Sequence, residues 1–211
     1  MIAPLKQGVT LAQPNGPVVE TGRLKLRQWC SADIAPNTAM LSDPGTARFI
    51  TVDGKPVTNE LVGWRNAAVM AGHWALHGAG MFVVEEKASR RFVGRVGPWF
   101  PPGWPGFEVG WGIASDFRGK GYAVEAARAA IDWVFSTFEL DRIVHCIDHE
   151  NTASQAVARR LGAEKQGDRP ARPCRGRVGD HAQLMDGFLK LNLQAFFARI
   201  ASVAASPVQA L

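Results

Sequence analysis

The glycine-rich turn at residues 118–123 carries the clearest chemical signal in the sequence. It reads Arg-Gly-Lys-Gly-Tyr-Ala and lies between an alternating apolar strand at 107–113 and a helix with apolar periodicity. Glycine lets backbone amides approach a ligand closely, and the first turn of a helix adds unpaired N–H groups and the positive end of the helix dipole. These residue types in this order predict a cradle for a ligand that carries a diphosphate.

Two common nucleotide motifs do not fit this turn. It lacks the Gly-x-x-x-x-Gly-Lys-Ser/Thr pattern, and it lacks the third glycine of Gly-x-Gly-x-x-Gly. Both the NTPase and the dinucleotide interpretations are therefore weakened. In the strand before the turn, Glu108, Gly110 and Gly112 share one face, and the two missing side chains leave room for a groove. The same glycines also fit a bulge or a close packing contact.

The remaining histidines and cysteines do not form a convincing site. His73 and His77 have a metal-binding spacing, but the Glu of His-Glu-x-x-His and a third ligand are missing, so we expect them to be ordinary residues. His145, Asp148 and His149 cluster without a Gly-x-Ser-x-Gly nucleophile elbow. The three cysteines show no CxxC spacing, which argues against a disulfide framework and a zinc site.

These motifs must be positioned by an alternation of strands and helices. The order predicted is β-α-α-β-β-β-α-β-α-β, which indicates an α+β or mixed-sheet domain instead of a doubly wound one. We predict strands at 20–29, 80–86, 91–96, 107–113, 142–147 and 181–185. We predict helices after Ser31 or Asp33 as far as 43–45, at 58–77, at 122–138, from Asn151 to Gly162, and at 188–203. The domain boundaries predicted are a flexible leader at 1–19, the main domain at 20–187 and a helical extension at 188–211.

Two segments carry more specific expectations. The helix at 58–77 should bury one side made of Leu61, Trp64, Ala68 and Ala71, and Gly72 is a candidate for an early end. The segment 97–106 contains four prolines, which predicts a loop with exposed or half-exposed aromatic side chains. That loop is either a rigid turn packed by its own Trp residues or a wall of the substrate pocket.

Composition sets the outer limits. The chain has 211 residues, 46% hydrophobic and 20% charged, as expected for a globular protein of one domain. Its formal charge is +5, with arginines concentrated between 159 and 177, yet most such runs are solvated surfaces, and we do not expect nucleic acid to be a substrate. No window approaches the apolar length of a membrane span, so we expect a reducing, cytoplasmic setting and no membrane partner.

A resemblance to a known family follows from two motifs together. Arg-x-x-Gly-x-Ala at 118–123 follows a strand and opens a helix, and resembles the acetyl-coenzyme A signature of the GNAT N-acetyltransferase superfamily. The run 141–154 and the later Arg160-Leu161-Gly162-Ala163 are similar to the Rim-type branch, the ribosomal-protein alanine and serine N-acetyltransferases. The resemblance covers roughly residues 20–187. It implies a central mixed, mostly antiparallel sheet flanked by helices.

The resemblance also implies how acetyl-coenzyme A is bound. The strand edge at Trp111, Gly112 and Ile113 would bond the pantetheine arm. The pyrophosphate would be held by the backbone amides of Arg118, Gly119, Lys120, Gly121, Tyr122 and Ala123.

Acetyl transfer to an amine needs a base for the ammonium proton and an acid for the departing thiolate. Glu108 is the predicted base, because burial in an apolar strand would raise its pKa towards neutrality; a salt bridge to an arginine is the alternative. Ser154 is the predicted acid or thiol-positioning group, or else a normal capping partner. Asn151 either bonds the cofactor or only caps its helix. Tyr122, the single tyrosine, is expected to pack against the cofactor.

The function predicted is therefore an acetyl-coenzyme A-dependent N-acetyltransferase that works by direct attack, since no cysteine or serine is paired with an evident base. The acceptor is a primary amine, either a protein N-terminus or a small molecule such as an antibiotic, a polyamine or an amino acid. From another class, the chain is a catalytically silent acyl-coenzyme A-binding regulatory module. The apolar C-terminal segment allows a homodimer.

Overall fold

The computed structural model describes residues 7, 15–165 and 188–192 of the chain. The strands are β1 (Val19–Glu20), β2 (Leu24–Arg27), β3 (Phe82–Glu86), β4 (Phe92–Trp99), β5 (Glu108–Ile113), β6 (Arg142–Cys146), β7 (Glu164–Lys165) and β8 (Phe188–Asn192). The helices are α1 (Ile34–Ser42), α2 (Pro44–Ile50), α3 (Glu60–His77), α4 (Tyr122–Thr137) and α5 (Thr152–Leu161), with short 3-10 turns at Ser31–Asp33 and Ser115–Phe117.

The strands of this described part form one sheet in the order β1-β2-β3-β4-β5-β6-β8-β7. Every neighbouring pair is antiparallel except β5 and β6, which run parallel. The predicted mixed, mostly antiparallel sheet flanked by helices is therefore confirmed. No helix in the described residues is long and apolar enough to cross a membrane.

The parallel pair separates almost at once. β4 and β5 are in register from Gly94↔Ile113 to Trp99↔Glu108, whereas β5 and β6 share only the pair Glu108↔Val144. Beyond that pair the Val109 carbonyl accepts a hydrogen bond from the His145 side chain instead of from a neighbouring backbone amide. One edge of β5 is consequently open towards Ile113, which creates a gap in the middle of the sheet.

Helices cover both faces of the sheet. α4 packs on β4 and β5 with a stripe of small and branched residues, of which Ala126, Ala130, Ile131 and Val134 are fully buried. This agrees with the helix predicted at 122–138. On the other face, α1 and α3 pack together, and Asn66 of α3 contacts β4.

The buried side of α3 is not the predicted one. Leu61 and Trp64 are 55% and 52% exposed, and the helix instead buries a stripe that includes Gly63, Ala67 and Met70. α1 explains the difference, because a Cβ at Gly63 would stand 1.9 Å from the Thr38 hydroxyl oxygen. Close helix contact thus selected the small residues over the large apolar ones. Gly72 does not end the helix, which continues to a left-handed Gly78 cap at φ 67°.

The proline-rich segment begins inside the sheet. β4 continues through Gly97 and Pro98 to Trp99, so the prediction of a loop from residue 97 is wrong for its first three residues. Proline is tolerated here because β3 pairs with β4 only as far as Phe82↔Val96. Pro98 therefore lies where β4 has no partner on that side, and its missing N–H costs no ladder hydrogen bond.

The C-terminal and N-terminal predictions need a correction each. Residues 188–192 form β8, paired with β6 and β7, so the helix predicted to start at Phe188 is wrong for these residues. The alternation Phe-Leu-Lys-Leu-Asn fits a strand as well as a helix, and pairing with β6 decides between them. The strand predicted at 181–185 and the rest of the helical extension lie outside the described residues. The predicted leader includes Val19, but Val19 already belongs to β1 and pairs with Leu26.

A short helix was also missed near the predicted end of the first one. Asp43 and Pro44 do end α1, but they also start α2. The Asp43 carboxylate accepts a hydrogen bond from the Thr46 amide at 2.9 Å, and proline occupies the first helical position, where it has no amide to lose.

Candidate active site

A cavity of about 1480 Å³ opens where β5 and β6 diverge. It extends from the start of α4, past the open edge of β5, to the proline-rich loop and α3 on the other side of the sheet. Of the predicted site residues, the cavity is lined by Glu108, Trp111, Gly112, Ile113, Arg118, Gly119, Gly121, Tyr122, Ala123, Asn151 and Ser154. The structure thus brings together every predicted site residue except Lys120.

The glycine turn leaves the start of α4 without a side-chain cap. Gly119 and Gly121 have φ angles of 76° and 79°, in the left-handed region that glycine adopts without strain. Gly121 is the N-cap of α4, and no side chain bonds to the first-turn amides. In contrast, Asn59 and Asn151 cap α3 and α5 with their side-chain oxygens. The start of α4 therefore offers free donors and a positive dipole end to an anion.

Two arginine side chains hold the turn in place, Arg118 from the turn itself and Arg23 from the residue before β2. The Arg118 guanidinium donates to Asp43 at 2.8 Å and to the Thr46 hydroxyl, which ties the turn to the start of α2. Arg23 donates to the Lys120 carbonyl at 3.0 Å. Since Arg118 is engaged by Asp43 and Thr46 and Arg23 takes only the Lys120 carbonyl, the backbone N–H groups of the turn are the part available to a ligand.

Tyr122 lies at the cavity, but its hydroxyl is occupied. That hydroxyl donates to Glu86, and the Arg23 guanidinium lies 4.5 Å from the ring centroid. The bond to Glu86 raises the pKa of the Tyr122 phenol. Tyr122 is thus placed to pack its ring beside a ligand and is poorly suited to donate a proton to one.

Glu108 is buried beneath the cavity, with 7% of its surface exposed. Its carboxyl group accepts hydrogen bonds from the Trp104 indole N–H at 2.6 Å and from the Cys146 amide at 3.1 Å. Burial raises its pKa to about 7, and the two hydrogen bonds only partly oppose that effect. Among residues 15–165 it forms no salt bridge, so the alternative of an arginine partner does not apply there.

Trp104 is a site residue that sequence reasoning did not identify individually. The proline-rich loop lines the cavity with Trp99, Pro101, Gly103, Trp104 and Pro105, which agrees with the interpretation of the loop as a pocket wall. Trp104 lies four residues before Glu108. The sequence feature that could have identified Trp104 is its indole N–H, which lies four residues before a carboxyl group and across a proline-rich turn.

Ser154 lies across the gap from β5. Its hydroxyl oxygen accepts a hydrogen bond from the Trp111 indole at 3.3 Å, and its amide donates to Asn151 at 3.0 Å. Because the Trp111 indole can only donate, the Ser154 hydroxyl keeps its own proton available for another acceptor. Asn151 does cap α5, and it also lines the cavity.

His145 is buried under Trp111 and was not predicted as a site residue. Its Nδ1–H donates to the Val109 carbonyl at 2.6 Å, and its Nε2 has no partner in the described part of the chain. Burial lowers its pKa to about 4, so the ring is neutral near pH 7. Its ring centroid lies 4.9 Å from that of Trp111, which fixes the indole that holds Ser154.

The glycines of β5 accommodate side chains from the opposite layer. A Cβ at Gly110 would meet the Met81 methyl at 2.9 Å, and one at Gly112 would meet the Ile50 methyl at 2.7 Å. The close-packing explanation therefore holds at both positions. Both glycines still line the cavity. Its floor there is formed by the two glycines together with the ends of Met81 and Ile50.

The opposite end of the same face carries a buried arginine. Arg95 pairs with Gly112 across β4 and β5, is 5% exposed and lines the cavity. Its Nη1 donates to Asn66 at 2.7 Å. Neither residue was predicted, because their contact depends on how α3 lies on the sheet.

His73, of the other histidine pair, has both ring nitrogens engaged. His73 bonds the Ala79 carbonyl through Nδ1 at 2.7 Å, and its Nε2 accepts from the Phe100 amide at 3.4 Å. Neither nitrogen is left for a metal. Within the described residues, no group of three His, Cys, Asp or Glu side chains is placed to hold a metal ion.

Comparison with known proteins agrees with this geometry. The model of the family described as acetyltransferase (GNAT) domain matches residues 23–164. YkkB of Bacillus subtilis (strain 168) is 30% identical over 146 residues, which are 67% of this chain and 82% of YkkB.

Solved structures share the fold. The acetyltransferase from Agrobacterium tumefaciens str. C58 is 26% identical with a TM-score of 0.67, over 88% of this chain and 99% of that one. RimL, a ribosomal alpha-N-protein acetyltransferase solved in complex with coenzyme A, is 16% identical with a TM-score of 0.66, over 85% of this chain and 99% of that one. At 16% identity the RimL likeness shows the fold alone.

Proposed function

Since this chain belongs to the GNAT acetyltransferase family, we propose that it transfers the acetyl group of acetyl-coenzyme A to a primary amine by direct attack. One observation carries the proposal. A single cavity joins the uncapped start of α4 to a buried carboxyl group, Glu108, whose pKa is raised to about 7. The first feature suits a diphosphate, and the second suits a base that works near neutral pH.

We propose that the cofactor lies along the gap between β5 and β6. The backbone amides from Arg118 to Ala123 would bind its pyrophosphate, since the Arg118 side chain is engaged by Asp43 and Thr46 and Lys120 does not line the cavity. The open edge at Trp111 to Ile113 would bond the pantetheine arm, which agrees with the loss of β5–β6 pairing beyond Glu108. Asn151 lies at the same end of the cavity and would contribute its amide N–H₂, because its oxygen is used as the cap.

Glu108 would accept the proton of the attacking ammonium group, directly or through a water. The free amine then attacks the thioester carbonyl, a tetrahedral intermediate forms, and the carbon–sulfur bond breaks. The Ser154 hydroxyl would donate a hydrogen bond to the departing thiolate, since Trp111 occupies its oxygen and leaves its proton available. Glu108 would act by proton transfer and Ser154 by stabilising the charge of the departing thiolate, and neither would form a covalent bond to the substrate.

One cysteine of the described residues supports direct attack over a covalent intermediate. Cys146 lies beside Glu108, and both burial and that carboxyl group raise the pKa of its thiol. A thiol is a nucleophile only as the thiolate, so Cys146 is held in its unreactive form.

The test is thiol release from acetyl-coenzyme A with a mixed panel of peptides and small amines, followed by the mass of the products. The proposal predicts coenzyme A release that depends on an amine, and a product heavier than that amine by one acetyl group. Cofactor binding without release for any amine would instead favour a catalytically silent acyl-coenzyme A-binding module. The acceptor class, a Rim-type protein N-terminus or a small molecule, is decided by the same panel.

Three further expectations remain predictions. These are the domain boundaries at 1–19, 20–187 and 188–211, except that Val19 and residues 188–192 belong to the sheet, a cytoplasmic location, and a homodimer.

A further inference from the structure

Arg95 is a buried cation without a counter-ion in the described part of the chain. It lies in the middle of β4 with 5% of its surface exposed. Its only hydrogen-bond partner there is a neutral amide, the Asn66 oxygen, at 2.7 Å from Nη1. Burial alone moves its pKa, down to about 10, so the guanidinium still carries its charge near pH 7. An ion that is buried without a partner destabilises the fold, so its presence needs a compensating reason.

Arg27, another arginine of the same sheet, is neutralised by carboxylates, unlike Arg95. Its guanidinium bonds both Asp33 and Glu85 at 2.8 Å, and these carboxylates raise its pKa. The third buried carboxyl group, Glu108, is engaged by Trp104 and the Cys146 amide. Every buried carboxyl group in residues 15–165 therefore has other partners, and none of them neutralises Arg95.

Arg95 and Glu108 lie on one face of the sheet. Directly paired residues of antiparallel strands share a face, so Arg95 lies with Gly112, and Trp99 lies with Glu108. Four residues separate Gly112 from Glu108, which places the two ends of this face roughly 13 Å apart along the strand. Between them lie Gly110 and Gly112, over which the ends of Met81 and Ile50 pack. Glu108, Arg95 and these two side chains line the same cavity, so a ligand that passes over Met81 and Ile50 can meet the base at one end and the cation at the other.

The neighbour of Arg95 adds a second donor. Arg95 has only donors, so the Asn66 atom that faces it must be the amide oxygen, which also accepts from Asn37 at 3.2 Å. The Asn66 N–H₂ group is then directed away from Arg95, and Asn66 lines the cavity. Within residues 15–165 the remaining N–H groups of these two side chains have no acceptor, and such a pair of donors forms a site for anionic oxygen.

We propose that Arg95 and Asn66 bind a carboxylate of the acceptor, so that the substrate is a primary amine that also carries a carboxylate, such as an amino acid. This rests on the proposed acetyl transfer. The cavity lining supports it in part. Arg48 and Arg118 are ion-paired with Glu150 and Asp43, whereas Arg65 and Arg95 line the cavity from α3 and β4 and form no salt bridge within residues 15–165. A polyamine would meet cations where it needs anions.

The test compares ω-amino acids, from 3-aminopropanoate to 6-aminohexanoate, each with its own primary amide as acceptor. KM is expressed as free amine, since the amide changes the amine pKa. We expect the best carboxylate to have a KM at least about tenfold below that of its amide, as for a charge-assisted hydrogen bond. Arg95→Met should abolish this preference by raising the KM of the carboxylate to that of its amide, while the acetyl-coenzyme A Kd stays within a factor of about two. Arg142→Met, which removes an exposed charge outside the cavity, should keep the preference.

Thermal unfolding separates a functional cation from a structural one. We expect Arg95→Met to unfold at the same temperature as the wild type or higher, because an unpaired charge is removed from the interior. A large drop in unfolding temperature, or an equal KM rise for carboxylates and amides, overturns the proposal, because Arg95 would then be neutralised within the protein.

Failure of the proposed function has a different signature. If acetyl-coenzyme A binds but no amine is acetylated, the acetyl transfer is wrong, and the carboxylate site is judged by binding alone. Stabilisation of the wild type by 4-aminobutyrate, absent with 4-aminobutanamide and in Arg95→Met, then supports the site. Equal stabilisation in all three cases, or none in the wild type, overturns it.

Discussion

The two faces of β5 are built in opposite ways. One face carries Glu108, Gly110 and Gly112, with a titratable group at one end and almost no side-chain bulk beyond it. The other carries Val109, Trp111 and Ile113, all packed into the apolar core, with Trp111 as a link to α5. Alternation in a strand lets one segment supply both faces at once. In the proposed reaction, one side of the strand would supply the base and the acceptor site, and the other side would support the cofactor.

The difference gives a rule for variants. Changes on the Glu108 face should alter turnover and acceptor KM while acetyl-coenzyme A still binds. Changes near Trp111 and the helix starts should affect the cofactor or its leaving thiolate. A variant on the Glu108 face that weakens acetyl-coenzyme A binding, or one near Trp111 that changes only the acceptor KM, would contradict this division between the two faces.

The largest effect is expected from Glu108→Gln. The amide keeps the size of the side chain but cannot accept a proton, so kcat should fall about a hundred- to ten-thousand-fold. The acetyl-coenzyme A Kd, measured by calorimetry, should stay within a factor of about two, since the base does not hold the cofactor. Glu139→Gln, at an exposed position away from the cavity, should leave both quantities unchanged. Wild-type turnover in Glu108→Gln would remove the assigned base.

A smaller loss is expected from Ser154→Ala. It removes the proton offered to the thiolate and leaves the Trp111 indole without its acceptor. We expect kcat to fall roughly ten- to a hundredfold, at or below the low end for general acid catalysis, because a thiolate leaves readily. Steady-state kinetics with excess acceptor checks this.

The matched control is Ser136→Ala, whose hydroxyl bonds only the Trp133 carbonyl on the outside of α4. Equal turnover by Ser154→Ala and the wild type would show that Ser154 has no catalytic role and is only part of the first turn of α5.

The smallest effect concerns the start of α4, through Gly121→Ala. Alanine is strained at φ 79°, and a displaced turn would move the amides that should meet the pyrophosphate. A helix start typically stabilises an anion by roughly 0.3–1 kcal/mol, so the acetyl-coenzyme A Kd should rise by up to about fivefold.

Gly78→Ala separates strain from binding. Gly78 has nearly the same backbone, at φ 67°, and ends α3 away from the cavity. Both variants should lose about 1 kcal/mol or more in the free energy of unfolding, but only Gly121→Ala should weaken cofactor binding. Similar affinity in both variants would argue against the helix start as the pyrophosphate site.

The part of the site that was predictable from sequence is the part made by neighbours in the chain. The turn at 118–123 and the cap from Asn151 to Ser154 each fit within one loop and one helix start, where residue type determines conformation. Glu108 was recognisable because a lone carboxyl group in an apolar strand must be either paired or shifted in pKa.

The rest depends on contacts between distant elements. Arg95 meets Asn66 only because α3 lies on β4, and His145 meets Val109 only because β6 leaves β5. The buried side of α3 was mispredicted for the same reason, since proximity of Thr38 to Gly63 outweighs the burial that Leu61 and Trp64 would gain. Local patterns record hydrophobicity, but not which partner approaches.

The pH dependence of acetyl transfer tests the central assignment most directly. Glu108 accepts a proton only when ionised, and its pKa is raised to about 7, so kcat/KM should rise with pH through an inflection near that value. With one acceptor throughout, Glu108→Gln should show a low residual rate that follows only the ionisation of the amine itself. The same inflection near 7 in Glu108→Gln would contradict the account, because another group would then be the base.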